Sequence, residues 1–248
     1  MKNVDQNTFL NINLKAIKDN YKIIKTKVKK KCIVAATVKA NAYGLGVHKV
    51  VPILNKAGCN YYFVATTNEA IELRKINKTI TIFILNGLVA GDLNLISKYN
   101  LVPVINNLDQ LRKYETFQKK LNKRLKIALH FDTGMSRLGF DKKETENLLK
   151  NKHKLIRMSK VLLVMSHLAC ADNRKSAKNI KQLNKFIRIK DNFPDSLHSL
   201  SSSAGIILGK NYNFDMVRPG ISLYGGHCSL NERKIYKNVV TLSAKIIQ

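Results

Sequence analysis

Short apolar runs alternate along this chain with segments whose apolar residues recur every three or four positions. The apolar runs predict buried strands, and the longer spacing predicts amphipathic helices. The clearest helix begins the series and carries Leu14, Ile17, Tyr21, Ile24 and Val28 on one face. The predicted strands lie at 33–38, 61–65, 80–85, 101–105, 125–131, 161–165, 197–200 and from 216 onward. The helices predicted between them lie near 47–57, 67–76, 91–98, 107–121, 142–151, 177–191 and 203–208.

Repetition of a strand followed by a helix predicts a parallel sheet covered by helices. About eight such units in 248 residues favour a closed α/β barrel of the TIM-like (β/α)8 type over an open sheet. We expect this barrel to occupy residues 1–230. A further β-rich run lies at 238–247, and nothing earlier in the chain is predicted to pair with it.

The charge balance raises a different possibility. Lys and Arg number 44 against 16 Asp and Glu, which gives a formal net charge of +28. Such a charge suggests nucleic acid or an anionic membrane surface as a partner. The basic residues are scattered, however, and the densest run, 27–31, lies at a predicted helix end where cations are favourable. A basic nucleic-acid-binding protein is therefore the disfavoured alternative.

The four cysteines lie far apart, at Cys32, Cys59, Cys170 and Cys228. Their spacing does not match a metal site, and we expect reduced thiols in a cytoplasmic protein. The sequence contains neither a signal-peptide pattern nor an apolar run of about 18 residues, so no membrane span is predicted.

The first candidate for chemistry is Lys39, which directly follows the strand predicted at 33–38. The heptapeptide at 38–44 reads Val-Lys-Ala-Asn-Ala-Tyr-Gly. At the end of a buried strand, partial desolvation would favour the neutral amine that a nucleophile needs. A lysine that only closes a strand and extends into solvent is the simpler interpretation.

Three more segments place polar residues after predicted strands. Segment 130–140 contains Arg137, whose forked guanidinium suits a carboxylate, and segment 165–172 contains His167. Segments 201–205 and 215–225 are rich in small residues, and backbone N–H groups of this kind bind anions in barrels. A surface arginine and an ordinary buried histidine are the alternatives for the first two.

These segments resemble, in the same order, the motifs of alanine racemases, which depend on pyridoxal phosphate. The heptapeptide resembles the motif of their cofactor lysine, and 132–139 is similar to their Asp-Thr-Gly-Met-x-Arg-Leu-Gly signature. The resemblance extends over residues 38–225 and implies a barrel like the N-terminal domain of that family. One position departs from the pattern, because His130 stands where the family usually has a lysine, often carbamylated, that orients the arginine.

The resemblance implies a role for each candidate. Lys39 would bind the cofactor and act as the base on one face of the substrate, and Arg137 would hold the substrate carboxylate. The remaining cofactor-binding residues would be Tyr43, Ser203, Gly220 and Ile221 at the phosphate, with His167 and Arg218 at the ring.

The implied reaction interconverts L- and D-alanine and supplies D-alanine for peptidoglycan, in a homodimer. In that family a tyrosine from a second, β-rich domain acts on the other face of the substrate. Because the run at 238–247 resembles the first strand of that domain, we expect residues 231–248 to begin a truncated C-terminal β-domain. Because that tyrosine would lie beyond residue 248, we expect the 248 residues alone to racemise alanine poorly or not at all while still binding the cofactor. A barrel that binds pyridoxal phosphate without racemising is the alternative.

Overall fold

The computed structural model describes residues 7–89, 91–229 and 235–247. Its strands are β1 (Thr8–Ile12), β2 (Ile33–Val34), β3 (Ala36–Thr37), β4 (Tyr61–Val64), β5 (Thr81–Ile84), β6 (Val102–Ile105), β7 (Lys126–His130), β8 (Lys160–Met165), β9 (Leu197–Ser199), β10 (Met216–Val217) and β11 (Val240–Ala244). Its helical segments are α1 (Leu14–Lys27), α2 (Lys39–Tyr43), α3 (Val47–Lys56), α4 (Thr67–Ile76), α5 (Leu93–Lys98), α6 (Leu108–Leu121), α7 (Lys142–Lys150), α8 (Lys152–Leu155), α9 (Ala177–Lys190) and α10 (Ser203–Leu208).

The predicted barrel is confirmed. Strands β3 to β9 form one parallel sheet in chain order, and β2 pairs in parallel with β10 through Ile33 and Met216. β2 and β3 are two parts of a single strand, so this pairing joins the first barrel strand to the last. On its other side β10 continues into Arg218, whose N–H donates to the Ser201 carbonyl at 2.9 Å just after β9. The eight predicted strands therefore close on themselves.

The interior of the barrel is filled by side chains from alternate strand positions. The buried members of this inner cluster are Ala35, Phe63, Phe83, Val102, Val104, Ala128, Leu163, Met165 and Met216. The rings of Phe63 and Phe83 stack at a centroid distance of 4.6 Å. A second, larger apolar cluster lies between the strands and the helices. Because the inner layers are packed, the barrel has no open pore through this part, and a ligand must bind at one end.

The helix boundaries follow local capping signals in the sequence. Thr66 and Glu69 form a reciprocal capping box at the start of α4, and Asn107 and Asp141 cap α6 and α7. The predicted helix near 142–151 is divided in the structure, because Asn151 separates α7 from the short α8. Within the described residues, no helix is both long enough and apolar enough to cross a bilayer.

The expectation that the run at 238–247 has no pairing partner is wrong. β11 pairs antiparallel with β1, in register from Thr8 opposite Ala244 to Ile12 opposite Val240. The sequence reasoning did not predict β1. Apart from the half-buried Ile12, both strands are exposed, so this ribbon adds little to the apolar core. The domain boundary expected between residues 230 and 231 lies outside the described residues.

Candidate active site

The carboxyl ends of the barrel strands surround a cavity of about 440 Å³. Every residue that the sequence singled out for the site lines this one cavity, namely Lys39, Tyr43, Arg137, His167, Ser203, Arg218, Gly220 and Ile221. Besides two histidines, the described lining residues include three cationic side chains, Lys39, Arg137 and Arg218, and no carboxylate. The cavity is therefore suited to a ligand that carries negative charge.

The half-buried Lys39 is followed by a turn of unusual handedness. Ala40, Asn41 and Ala42 have φ values of 52°, 52° and 56° with ψ near 50°, and Tyr43 has φ of 56°. Segment α2 is thus a left-handed turn, a conformation that costs roughly 1–2 kcal/mol per non-glycine residue. Strain of this kind persists where surrounding contacts enforce it, and it is concentrated at functional sites.

Two side chains hold the left-handed turn in place. Ala40 donates its N–H to Glu69 Oε1 at 2.7 Å, while the other oxygen of this carboxylate accepts the Ala65 N–H at 2.7 Å. Asn41 Oδ1 accepts the N–H of Val47, the first residue of α3, at 2.8 Å. The turn that presents the lysine is therefore tied to the start of two helices.

A cradle of small residues, formed around Ser203 and Gly220, lines the same cavity. The Ser203 hydroxyl, at the start of α10, accepts the N–H groups of Gly220 at 3.0 Å and Ser222 at 3.3 Å. The Tyr43 hydroxyl packs so closely on Gly220 that a Cβ at this position would collide with it. A residue with a Cβ at position 220 would therefore have to displace the Tyr43 side chain.

Arg218 is a fixed, buried cation. Its side chain is 4% exposed, Nη2 donates to the Ser166 carbonyl at 2.6 Å, and Nη1 donates to the Ser199 hydroxyl. Burial, together with the nearby charge of Arg137, lowers the pKa of Arg218 to about 9, so the guanidinium is still protonated at neutral pH. All these partners are neutral, which leaves its positive charge uncompensated.

Two histidines in the cavity wall are held neutral. Burial, reinforced by the charges of Arg218 and Arg137, lowers the pKa of both His130 and His167 to about 3. His167 keeps part of its surface open to the cavity. Both imidazoles can therefore act as neutral donors or acceptors, and neither adds to the positive charge of the site.

The loop that carries Arg137 is organised by one carboxylate. Asp132 accepts the N–H groups of Gly134 at 2.9 Å, Met135 at 2.7 Å and Ser136 at 2.9 Å. Burial opposes ionisation of Asp132, but these three donors outweigh it and lower its pKa below the usual value. Arg137 is exposed and reaches the cavity from its rim.

Sequence reasoning missed the residues that position this site. Buried Gln182, from α9, donates to the His167 carbonyl at 2.9 Å and to the Thr133 hydroxyl at 3.2 Å, which joins two of the site's loops. A glutamine on an amphipathic helix gives no signal of such a role. The capping-box pattern from Thr66 to Glu69 was visible in the sequence, but its second function at the left-handed turn was not.

An eight-stranded barrel whose polar side chains converge at the carboxyl ends of its strands has the architecture of an α/β-barrel enzyme. The sequence profile described as "Alanine racemase, N-terminal domain" matches residues 12–228. The chain belongs to the alanine racemase family, through the N-terminal barrel domain.

The relatives of this chain are longer than its 248 residues. It is 42% identical over 220 residues to the alanine racemase of Rickettsia bellii, which covers 88% of this chain and 53% of that protein. It is 41% identical over 239 residues to the alanine racemase of Rickettsia akari, which covers 96% of this chain and 65% of that protein. The chain thus spans about half to two thirds of the length of these relatives.

Solved structures show the same fold. The alanine racemase from Bartonella henselae with covalently bound pyridoxal phosphate superposes with a TM-score of 0.93 at 34% identity, covering 99% of this chain and 71% of that chain. The biosynthetic alanine racemase from Pseudomonas aeruginosa has a TM-score of 0.87 at 29% identity, covering 96% of this chain and 66% of that chain.

Proposed function

We propose that this protein is a pyridoxal-phosphate-dependent racemase of alanine and that the cavity at the carboxyl ends of the strands is its active site. The observation that carries the proposal is the convergence of Lys39, Arg137, Arg218 and the Gly220 cradle on one cavity of about 440 Å³. These groups come from strands far apart in the sequence. The relatives named above support both the reaction and the cofactor.

The residues present fit this cofactor. Pyridoxal phosphate combines a phosphate, an aromatic ring nitrogen and an aldehyde. The Ser203 hydroxyl and the backbone around Gly220 form a cradle for the phosphate, and a side chain at position 220 would fill it. Cations without a carboxylate among the described lining residues match a ligand that is anionic as a whole. The volume lies within the roughly 300–1,000 Å³ typical of small-molecule sites.

Each residue would then contribute a separate function. Tyr43, Ser203, Gly220 and Ile221 would hold the phosphate, His167 would contact the ring, and Lys39 would make the covalent bond. When bound, the cofactor supplies an electron-withdrawing ring that acidifies the α-hydrogen of an attached amino acid.

Three side chains of the protein would control the protonation of the ring nitrogen, the position of the substrate carboxylate and the transfer of the α-proton. Arg218 can donate hydrogen bonds but cannot accept them, so it would leave the ring nitrogen unprotonated. Arg137 offers two parallel N–H donors, which would fix the substrate carboxylate and with it the direction of the α-hydrogen. The amine of Lys39 would remove and return a proton on one face of the substrate carbon. Homodimeric assembly and a cytoplasmic location remain predictions from the sequence.

The test is chemical labelling. Purified protein is mixed with pyridoxal phosphate, reduced with borohydride and digested, and the modified peptide is identified by mass spectrometry. We expect the label on Lys39 and its loss in Lys39→Ala, while Lys49→Ala, an exposed lysine in α3, keeps the label. A label that survives Lys39→Ala would contradict the proposal. Because the 248 residues alone are expected to racemise alanine poorly, formation of D-alanine from L-alanine is measured after a racemase β-domain is added as a separate polypeptide. D-alanine formation in that mixture separates a racemase from a barrel that only binds the cofactor.

A further inference from the structure

The basic residues that are scattered along the sequence are brought together by the fold. In a barrel, each helix returns the chain from the carboxyl end of one strand to the amino end of the next. Eight segments therefore form an amino-end face, and each runs from the last turn of a helix to the residue before the next barrel strand. They are 24–32, 53–60, 73–80, 95–101, 118–125, 147–159, 187–196 and 205–215.

Contacts between these segments show that they adjoin one another. Arg124 Nε donates to the Met158 carbonyl at 3.2 Å, and Lys152 Nζ donates to the Asn192 carbonyl at 2.6 Å. A cavity of about 250 Å³ joins the first of the eight segments to the seventh through three lysines, Lys29, Lys31 and Lys190. Positive charges from distant parts of the chain therefore lie side by side on this face.

The two ends of the barrel differ sharply in charged residues. The eight segments of the amino-end face contain 21 Lys and Arg, three Asp and no Glu. The corresponding segments at the carboxyl ends reach from each strand into the first turn of the following helix, and they contain nine Lys and Arg and seven Asp and Glu. Those segments are 38–50, 65–70, 85–96, 106–111, 131–145, 166–180, 200–206 and 218–224. Most of the net positive charge of the chain thus lies at one end.

The charge of the amino-end face is accessible and largely unpaired. Of its 21 basic residues, 17 are exposed and the other four are half-buried. Among the residues that the structure describes, Lys190 is the only one of the 21 in an ion pair, with Asp191 at 2.6 Å. Of the other two aspartates, Asp215 bonds to His198, with Oδ2 3.0 Å from Nδ1. The positive charge is therefore not balanced within the protein.

Helix stability explains only part of this pattern. Cations are favourable in the last turn of a helix, and 13 of the 21 basic residues lie inside a helix. The effect fades beyond the last turn, and the other eight residues lie there. They are Lys29, Lys30, Lys31, Lys78, Lys123, Arg124, Arg157 and Lys210. A ligand for the face as a whole accounts for all 21.

We propose that the amino-end face docks on an anionic lipid bilayer, with the cavity of the barrel facing away from the lipid. Lys and Arg side chains within about a Debye length, about 8 Å at physiological ionic strength, are attracted to a layer of anionic headgroups. Among the described residues, Leu121 and Ile187 are the only exposed large apolar side chains of the face, so the attraction is electrostatic and the barrel does not insert. The inference does not depend on the proposed function, because docking uses none of the residues at the cavity.

The shape of the face favours lipid over nucleic acid. A planar bilayer meets all eight segments at once, whereas a duplex is a cylinder and meets only a strip of them. Single-stranded nucleic acid is bound by stacking its bases on exposed aromatic rings. The aromatic residues of this face are buried or half-buried, namely Tyr99, Phe193, Tyr212 and Phe214.

The first test is a footprint on the unmodified protein. Lysines are acetylated briefly with and without vesicles made of equal parts phosphatidylcholine and phosphatidylglycerol, and the modified peptides are quantified by mass spectrometry. We expect the vesicles to protect Lys29, Lys31 and Lys123 and to leave the exposed Lys142 and Lys175 of the opposite end unprotected. Equal protection at both ends, or the same protection by vesicles of phosphatidylcholine alone, would overturn the inference.

The second test is cosedimentation of two variants with the same vesicles. One variant removes four exposed lysines of the amino-end face, by Lys29→Gln, Lys31→Gln, Lys123→Gln and Lys154→Gln. The matched control removes four exposed lysines of the opposite end, by Lys142→Gln, Lys143→Gln, Lys175→Gln and Lys178→Gln. Since both variants lose the same net charge, a difference between them reports where the lipid binds.

We expect the amino-end variant to bind the vesicles about a hundredfold more weakly than the parent, and the control to bind within about threefold of it. Raising the salt concentration to about 1 M shortens the Debye length to about 3 Å and should release the parent. Equal weakening of the two variants would show attraction by the whole molecule and overturn the inference. Stronger binding of the parent to duplex DNA than to the vesicles, at equal phosphate concentration, would overturn it in favour of nucleic acid.

Discussion

The histidines at the two ends of the barrel have opposite electrostatic surroundings. At the amino ends of the strands, His198 has a partner on each ring nitrogen, with Asp215 Oδ2 3.0 Å from Nδ1 and the Phe193 carbonyl 3.0 Å from Nε2. At the carboxyl ends, His130 and His167 face arginine charges, and the described cavity lining offers them no carboxylate. At the amino ends, the histidine bonds to groups of the protein itself. At the carboxyl ends, the positive charges near the histidines have no carboxylate partner in the described lining and are available to a ligand.

The backbone shows the same contrast. Asn100 and Asn122 have positive φ directly after helices, where this residue type is well tolerated. At the cavity, Ala40 and Ala42 hold the left-handed conformation without that advantage. Phe214, just before β10, is a single departure at the amino ends, with φ of 24°. The consecutive run from Ala40 to Tyr43 and the uncompensated charges occur together at the end that binds, where a folded protein can accept them in return for function.

Lowering the pH should produce the largest loss of folding stability among these predictions. Since folding lowers the pKa of His130 and His167 from 6.5 to about 3, the unfolded chain binds more protons than the folded chain between these values. Stability is therefore fully present above pH 6.5 and is lost as the pH falls. Each histidine contributes about 1.4 kcal/mol per pH unit, or roughly 4 kcal/mol for both between pH 6.5 and 5.

Urea unfolding of the parent at pH 7 and pH 5 measures this loss. His130→Gln should lower the pH dependence, whereas the exposed His153→Gln should leave it unchanged. An identical pH dependence in all three proteins would show that the histidines at the cavity are no different from surface ones.

A methyl group in the phosphate cradle should have the next largest effect. Gly220→Ala forces the Tyr43 ring away, at a cost of about 1–3 kcal/mol in unfolding free energy, and should greatly reduce cofactor labelling of Lys39. Gly58→Ala is the control for an added methyl group without a clash, because its Cβ position has open space around it. Unlike Gly220, it also has positive φ. It should destabilise through backbone strain alone and label normally.

Removing one oxygen from Glu69 should loosen the left-handed turn. Glu69→Gln keeps a single acceptor for two N–H groups, those of Ala40 and Ala65, and should cost about 1–2 kcal/mol in unfolding free energy. Labelling of Lys39 should also become slower. Glu72→Gln, three residues along α4, breaks only a surface contact with His48 and should change stability by less than about 1 kcal/mol. Equal effects of the two substitutions would contradict a special role for Glu69.

The smallest loss of unfolding free energy is expected at the amino ends of the strands. Asp215→Asn weakens a contact to His198 in which the aspartate is half exposed, so the loss should be about 1 kcal/mol or less. Because the barrel interior separates this contact from the cavity, Lys39 labelling should not change. A marked drop in labelling would show that the two ends are coupled.

The sequence was sufficient for the barrel because its strands and helices carry strong, separate periodicities. The helices at 67–76 and 203–208 have the predicted bounds, and α1 and α9 lie within one residue of theirs. The site residues could be selected through their resemblance to the alanine racemase motifs, because a polar residue after an apolar run is by itself explained more simply as a surface lysine or arginine.

What sequence reasoning could not supply depends on contacts made across the fold. The left-handed turn contains two alanines, which ordinarily favour a right-handed helix, and Glu69 imposes the opposite hand from another element. The orientation of His130 depends on Asn106, whose own direction depends on two carbonyls. The pairing of β1 with β11 likewise joins distant segments with only weak local patterns.

Closure of the barrel also determines when, during synthesis, the chain stops exposing unpaired strand edges through which it could aggregate. Strands β3 to β9 pair with sequence neighbours, but β2 must wait for β10, and the contact between Thr37 and Arg218 joins residues 181 positions apart. Until β10 has left the ribosome, β2 and β9 are open sheet edges, the kind of surface through which nascent chains pair with one another. A nascent chain that stalls before residue 216 would keep both edges unpaired, however completely its first seven barrel strands had folded.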